Sequence, residues 1–424
     1  MLEAEHNPLL AHDAESNVEP DIDERQLEKT LLRKLDKRMS ILVLIYILNY
    51  IDRNNVAAAR LRGFERDLML EGNQFASILS IMYIGYLIMQ IPSNIFLNYS
   101  GRPSAYLPTC MMLWGAVSVC TGLVTNYHQV FFARFLLGFM EAAFFPGALF
   151  LISKWYKRNE LSTRMAILTC GSIISNAFGS LFASLILHVA DGWGGYAAWR
   201  WLFFLEGGLT MVVAFASIYI LPDFPETPSN WLSLPEQRLA QRRMVDDAGP
   251  ELSSSIQLPD DGKFNGLVLA LSDWKVWWLA FTMAALVAAL SYHAYFPTLS
   301  ATMGYNRTIT LLLCAPPWIF ASGVAVVLSR HSDKMQERFW HITFSLSLGC
   351  VGFLIAMLTM NTLVRYISLF LMAQMFAGFV CFWAWVSGSI PHPASKRAVA
   401  LGLINSFAQF GNVFAMSVYL IALV

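Results

Sequence analysis

Residues 39–61 read MSILVLIYILNYIDRNNVAAARL, and this segment decides the fold class. An α-helix needs about 20 mostly apolar residues to cross about 30 Å of hydrocarbon, and it satisfies its backbone hydrogen bonds internally. The segment therefore predicts a membrane span. Its interior nevertheless carries Asp52 and Arg53. Because a charged group at membrane depth is costly and usually marks a functional site, this span is also the first candidate for function.

Ten further segments have the length and the apolar character of a membrane span. With the first, the predicted spans cover residues 39–61, 75–97, 105–124, 129–152, 165–189, 199–221, 274–297, 308–329, 340–360, 366–390 and 398–424. The composition agrees, since 56% of the residues are hydrophobic and 14% are charged, whereas soluble domains carry about 25% charged residues. The sequence predicts an all-α polytopic membrane protein and excludes a conventional soluble enzyme.

The polar stretch 222–273 is predicted to be a cytosolic linker, and it divides the predicted spans into a bundle of six, 39–221, and a bundle of five, 274–424. Residues 1–38 are polar and acidic, which predicts a disordered cytosolic tail. A polar turn after the second span is echoed after the eighth, so the two bundles resemble repeats. Repeated helix bundles with a binding site near the midplane of the bilayer are typical of secondary transporters.

The positions of lysine and arginine predict the orientation. Most of them fall in loops on the same side as the N-terminus, and positively charged loops tend to stay in the cytosol. The connection after the first span is an exception, because it holds Arg60, Arg62 and Arg66. With the N-terminus in the cytosol, the sequence Asn306-Arg-Thr308 lies outside, and Asn306 is a candidate for N-glycosylation.

Several partner classes are disfavoured by the sequence. Lys+Arg and Asp+Glu both number 29, so no basic excess is available to bind nucleic acid. The six cysteines stand alone in apolar runs, which predicts neither disulfides nor a metal site. No G-x-x-x-x-G-K-[ST] loop occurs, so ATP is not expected as the energy source, and no cofactor is predicted.

The charges inside the first and fourth spans are predicted to lie at similar depth. Asp52 and Arg53 are about 20 Å from the cytosolic end of span one, and Arg134 is about 8 Å below the outer surface. Glu141 follows Arg134 by seven residues, which places both on one helix face. Glu141 has no cation within one turn, which favours a proton-coupling role, whereas Arg134 could also be a structural anchor that pairs with Asp52.

Other side chains could complete a binding site. Tyr46, Asn49 and Arg53 share one face of span one and would offer an aromatic ring, an amide and a cation, a mixture that suits an organic anion. His293 could line the cavity from span seven, although a hydrogen-bonded histidine in the outer interface is favoured. Glu206 in span six is interpreted as structural, satisfied by a helix terminus or by Arg200.

The chain resembles a known family through segments that run almost from end to end. These segments are Leu48-Asn-Tyr-Ile-Asp52-Arg53-Asn-Asn55, Gln90-Ile-Pro92-Ser93-Asn94, Arg134-Phe-Leu-Leu-Gly138-Phe-Met-Glu141-Ala142, Phe145-Pro146-Gly147, Trp155-Tyr156, Trp199-Arg-Trp-Leu-Phe-Phe-Leu-Glu206-Gly207, Leu221-Pro222 to Pro225-Glu226-Thr227, and Lys396-Arg397-Ala398. In this order they resemble the major facilitator superfamily, and within it the fungal allantoate permease-like branch of the anion:cation symporters, which carry nicotinate, pantothenate and related organic acids. The resemblance implies that Asp52 and Glu141 take up protons while Arg53 holds the substrate carboxylate.

Two departures from the family leave alternatives open. The turn after span two has Asn98 where the family usually has an acid, and the family expects a twelfth helix followed by a cytosolic tail, which predicts a truncated or alternatively spliced form. The main prediction is a monomeric carrier that uses protons to take up a small organic anion. The alternatives are a non-transporting nutrient sensor or inactive paralogue, and a carrier of a neutral solute such as a sugar, which would not need two intramembrane arginines.

The sequence leaves the membrane open as well. The plasma membrane is the default prediction. The stretch Glu5-His-Asn-Pro-Leu9-Leu10 matches a weak acidic dileucine sorting pattern, which would direct the protein to an internal membrane instead.

Overall fold

The computed structural model describes residues 22–190, 192–229, 231–248, 265–335, 337–389 and 394–423. Within these ranges the chain forms helices and no strand. The first eight helices are Ile22–Arg60 (α1), Phe64–Asp67 (α2), Gln74–Ser100 (α3), Pro103–Thr121 (α4), Tyr127–Glu141 (α5), Phe144–Trp155 (α6), Arg158–Val189 (α7) and Ala198–Ile220 (α8). The others are Leu234–Ala248 (α9), Asn265–Leu271 (α10), Trp274–Leu290 (α11), Phe296–Ala301 (α12), Arg307–Met335 (α13), Phe339–Leu358 (α14), Thr362–Ala373 (α15), Met375–Ser389 (α16) and Ala394–Leu423 (α17).

Each predicted span lies on one helix or on two consecutive ones. Among the residues that the structure describes, seven segments are long and apolar enough to cross a membrane, namely Tyr127–Trp155, Ile167–Val189, Ala198–Ile220, Trp274–Ala301, Thr308–Ser332, Phe339–Leu358 and Thr362–Val386. The remaining predicted spans lie on α1, α3, α4 and α17. The molecule thus has the all-helical, polytopic architecture that the sequence predicts.

Some predicted spans are interrupted where proline or a polar turn breaks the helix. α5 ends at Glu141 and α6 begins at Phe144, two residues before Pro146. Proline has no backbone N–H and its ring clashes with the carbonyl of the fourth residue before it, so it favours a break at this point. Span seven is interrupted by the 3₁₀ turn Ser291–Tyr295, which precedes Pro297. Both breaks lie next to residues that the sequence singled out for function.

The helices pack around two large apolar clusters. One cluster is built mainly by α1 to α8 and contains Trp114, Phe144 and Trp199. The other is built mainly by α11 to α17 and contains Trp318 and Phe376. The two groups of helices meet where α7 packs against α13 and where α3 packs against α17.

Helices α4 and α8 approach closely because glycines face each other. A β-carbon added to Gly207 would lie 2.7 Å from the carbonyl oxygen of Gly115 and 2.8 Å from the backbone nitrogen of Val119. Real β-carbons essentially never come this close to backbone atoms, so this contact requires glycine. The close approach brings hydroxyl groups from both helices to the middle of α1.

This glycine contact gives a stability prediction. We expect Gly207→Ala to destabilise the protein by about 1–3 kcal/mol, because the added methyl group would push two backbones apart. Gly208→Ala is the matched control, since a β-carbon there meets nothing within 4 Å, and alanine favours the helix by about 1 kcal/mol. Thermal unfolding of the purified protein in detergent measures both. An equal or higher melting temperature for Gly207→Ala would contradict the close packing.

The predicted disordered tail 1–38 is wrong in its second part, because α1 already begins at Ile22. Leu31 and Leu35 are completely buried in the first apolar cluster. Arg38 donates hydrogen bonds of 3.2 and 2.8 Å to the carbonyls of Tyr219 and Ile220 at the end of α8. The polar composition of this stretch hides an apolar face with helical spacing, which is why composition alone predicts a tail.

The linker helix α9 is held against the start of α1 and α7 by buried and half-buried ion pairs. Lys34 Nζ donates to both carboxylate oxygens of Glu236 at 2.7 and 2.9 Å. The buried Arg243 pairs with Glu28 at 2.7 Å and with Glu160 at 2.6 Å. The first part of the predicted linker 222–273 is therefore attached to the N-terminal group of helices.

The dileucine stretch 5–10 and the side chain of Asn98 lie outside the described residues.

Candidate functional site

Four charged side chains from the first and fourth predicted spans are buried inside the N-terminal group of helices. Asp52 and Arg53 lie on α1, and Arg134 and Glu141 lie on α5. Asp52, Arg134 and Glu141 are each 1% exposed, and Arg53 is 9% exposed. The depth estimate from the sequence thus identified residues that the fold brings together.

The strongest contact in this group joins Arg53 to Glu141. Arg53 donates from Nε and Nη2 to Oε2 of Glu141 at 3.1 and 2.8 Å. The sequence indicates no cation near Glu141, because its partner Arg53 lies on another helix. Asn49, one turn before Arg53, also lies against Glu141.

Three tyrosines surround the guanidinium of Arg53. The ring centroids of Tyr50, Tyr86 and Tyr83 lie 5.0, 5.1 and 5.9 Å from its Cζ atom, and an aromatic face attracts a cation at these distances. Tyr83 and Tyr86 lie on α3, and the sequence analysis missed them. Their i, i+3 spacing in a predicted span is the signal that could have indicated a shared face.

Arg134 does not pair with Asp52 as the sequence suggested. Its Nη1 donates to the backbone carbonyl of Arg53 at 3.3 Å, and its Nε and Nη2 have no hydrogen-bond partner in the described part of the chain. Phe203 lies 5.8 Å from the guanidinium. Arg134 and Arg53 both line a small cavity. The site therefore contains a buried cation with unused donors beside a cation that is already paired.

Asp52 is instead held by two hydroxyl groups. Ser118 on α4 donates to Oδ1 at 3.3 Å, and Thr210 on α8 donates to Oδ2 at 2.9 Å. The close packing of α4 and α8 at Gly207 positions these two donors. Neither hydroxyl was singled out from the sequence, because serine and threonine are common in membrane helices and have no distinctive spacing here.

Tyr46 packs mainly against aromatic rings. Its ring stacks on Phe145 at 5.3 Å, and its hydroxyl lies 3.4 Å from that of Tyr50. Phe145 in turn contacts Trp383 on α16 at 6.4 Å. Tyr46 therefore links the tyrosines around Arg53 to the contact between the two groups of helices.

His293 lies in the 3₁₀ turn Ser291–Tyr295, and its Nδ1 lies 3.0 Å from the carbonyl oxygen of Leu290. This hydrogen bond agrees with the interpretation of His293 as a hydrogen-bonded histidine, which the sequence favours. The same side chain also lines a second cavity, which Asn54, Asn55 and Asn176 line as well. The histidine thus lies beside a polar cavity.

The predicted glycosylation sequence begins α13. Asn306 is exposed, and its Oδ1 accepts a hydrogen bond of 2.8 Å from the backbone N–H of Ile309. The hydroxyl of Thr308 accepts from Arg62 at 3.2 Å, and Ser184 on α7 donates to the carbonyl of Thr308 at 3.1 Å. One of the arginines that break the orientation rule therefore joins the two groups of helices.

Glu206 on α8 does not have the partners that the sequence suggested. Arg200 donates to the carbonyl of Gly122 at 2.8 Å instead. Glu206 is 1% exposed, and both of its carboxyl oxygens lack a hydrogen-bond partner among the described residues. A purely structural carboxylate would be expected to have a donor, so this interpretation of Glu206 is not supported.

Comparison with known proteins agrees with this architecture. The family model of the Major Facilitator Superfamily matches residues 42–416. The MFS-type transporter cnsO of Penicillium expansum is 32% identical over 397 residues, which cover 91% of this chain and 75% of the relative. The major facilitator-type transporter hxnP of Emericella nidulans is 30% identical over 369 residues, covering 85% and 72% of the two chains.

A solved structure has the same fold. A bacterial homologue of the human lysosomal transporter Spinster, in an inward-facing and occupied conformation, superposes with a TM-score of 0.67 at 16% identity, covering 89% of this chain and 80% of that one. The family match extends over nearly all predicted spans and includes the buried charges. The chain therefore belongs to the Major Facilitator Superfamily and is a multi-pass membrane transporter of a small molecule.

Proposed function

We propose that the protein couples proton entry to the uptake of a small organic anion of the carboxylate or ureide type, and that it belongs to the allantoate permease-like branch. The observation that carries this proposal is the buried Arg53–Glu141 ion pair beside Arg134, which keeps two donors unpartnered. A buried cation with free N–H groups is suited to bind a carboxylate, because a guanidinium matches that group in shape and charge.

The ion pair explains how proton and anion binding would be coupled. While Glu141 is ionised, it occupies Nε and Nη2 of Arg53. Protonation of Glu141 weakens this pair and makes both donors available to a substrate carboxylate. Because coupling between two binding events is reciprocal, the bound anion would in turn favour the proton on Glu141. Asp52 would be the second proton acceptor, as the resemblance implies.

Uptake by the purified full-length chain in liposomes tests the proposal. The probes are labelled monocarboxylates, dicarboxylates, ureides and one neutral sugar, with an acidic exterior and a neutral interior. We expect one anion class to accumulate above equilibrium and to return to equilibrium when a protonophore removes the gradient. Accumulation of the sugar alone would indicate a neutral solute carrier, and binding of an anion without any flux would indicate a sensor.

We further propose that the N-terminus is cytosolic, that the protein is monomeric and that it resides in the plasma membrane. Under this orientation Asn306 faces the outside and is modified in a eukaryotic host. We expect Asn306→Gln to lose the mobility shift that an N-glycosidase produces on a gel. Asn306→Asp is the control for folding, since it keeps the capping oxygen that Ile309 uses but cannot carry the glycan. A wild-type band that the enzyme leaves unchanged would contradict the orientation.

A further inference from the structure

A buried carboxyl group lies one helical turn from the donor that holds Asp52. Glu206 and Thr210 are four residues apart on α8, so they share a helix face. Thr210 donates to Asp52 at 2.9 Å. The two carboxyl groups therefore belong to one buried polar region between α1, α4 and α8.

The surroundings of Glu206 do not compensate a negative charge. On the described helices that pack against α8, the charged groups at this depth are Asp52 and Arg53, both on α1. Arg134 on α5 also lies nearby, because its guanidinium contacts the ring of Phe203 on α8. Arg53 is paired with Glu141, and Arg134 donates to a backbone carbonyl. Both oxygens of Glu206 are left without a donor. Since an uncompensated buried carboxylate is strongly unfavourable, this position favours the neutral acid.

We propose that Glu206 is a third proton-binding site of the transporter, beside Asp52 and Glu141. In one state Glu206 is neutral and Asp52 is the carboxylate that accepts from Ser118 and Thr210. In the other state, reached when the site opens to the cytosol, Glu206 has released its proton to water and is a hydrated carboxylate. Water supplies and accepts this proton, so no other reactant is needed. The role of Glu206 in transport rests on the proton coupling proposed above. The presence of a proton on Glu206 does not depend on that proposal.

Infrared spectroscopy of the purified full-length protein tests the buried proton without any substrate. We expect the wild-type spectrum at neutral pH to contain a carbonyl stretching component of a protonated carboxylic acid that Glu206→Gln lacks. Glu226→Gln is the matched control, because Glu226 is exposed just beyond the end of α8. If Glu206→Gln cannot be purified, Asp52→Asn replaces it and must retain the component. The assignment would be overturned if the wild-type spectrum lacked this carbonyl component. It would also be overturned if the component disappeared in Asp52→Asn but remained in Glu206→Gln.

Proton counting in liposomes tests the transport role. The number of protons taken up per substrate molecule should be lower by one in Glu206→Gln than in the wild type and Glu226→Gln. An unchanged ratio would overturn the role in coupling even if the infrared component is lost. If the wild type transports no anion at all, the proposed function fails, while the infrared result still decides whether Glu206 holds a proton.

Discussion

Replacement of Arg53 by lysine is expected to abolish most anion uptake while the protein still reaches its membrane. Arg53 donates from two nitrogens and lies within 6 Å of three tyrosine rings. Lysine would keep the charge but would offer a point charge in place of a planar fork. A hydrogen bond to a charged group contributes about 1.5–3 kcal/mol, so the loss of one predicts a fall in uptake of roughly 10- to 100-fold.

Arg60→Lys provides the matched control for this experiment. Arg60 lies on the same helix, is partly exposed and pairs with Glu65 at 2.9 Å. An exposed ion pair contributes little to stability, so this substitution should leave uptake nearly unchanged. Initial rates are compared at equal amounts of protein in the membrane. Uptake by Arg53→Lys at the level of Arg60→Lys would remove Arg53 from the binding site.

Replacement of Glu141 by glutamine is expected to separate binding from coupling. Glutamine keeps the shape of glutamate and its capacity to accept hydrogen bonds, but it fixes the neutral state, which frees Arg53 for a substrate carboxylate. Exchange of labelled for unlabelled substrate across the liposome membrane should therefore continue. Accumulation driven by the proton gradient should fall to the level reached without a gradient.

The control for this variant is Glu65→Gln. Glu65 lies on α2, pairs with Arg60 and is outside the site. The control variant should exchange and accumulate substrate like the wild type. If Glu141→Gln accumulates substrate with unchanged dependence on external pH, Glu141 is not the coupling residue. If both exchange and accumulation are lost, its role is to position Arg53.

The sequence predicted which charged residues lie close together, but it did not predict which of them are in contact. Helix rise alone placed Asp52, Arg53 and Arg134 at similar depth, and spacing placed Glu141 on the same face as Arg134. The pairing depends on how helices tilt and rotate against each other, which apolar length does not determine. For this reason the observed ion pair joins Arg53 to Glu141, and Asp52 is held by hydroxyl groups from α4 and α8.

Two other differences have physical causes of the same kind. The helical start of α1 was missed because its polar face dominates the composition, although Leu31 and Leu35 are fully buried. Glu206 was interpreted as satisfied because Arg200 lies nearby in sequence. The two residues are six positions apart, which places them on different faces of the helix. Sequence distance was therefore a poor guide to the partner.

The docking of α9 on α1 determines how much chain is left between the two groups of helices. The predicted linker spans 52 residues, 222–273, but α9 is anchored to the first group of helices and α10 packs on α17 in the second. Between Ala248 and Asn265 the sequence has only 16 residues, 249–264. The 17 steps from Ala248 to Asn265 reach at most about 61 Å when fully extended. The covalent length of this stretch therefore sets an upper limit on the distance between Ala248 and Asn265 in every state of the transporter, and shortening it stepwise should at some length begin to slow turnover.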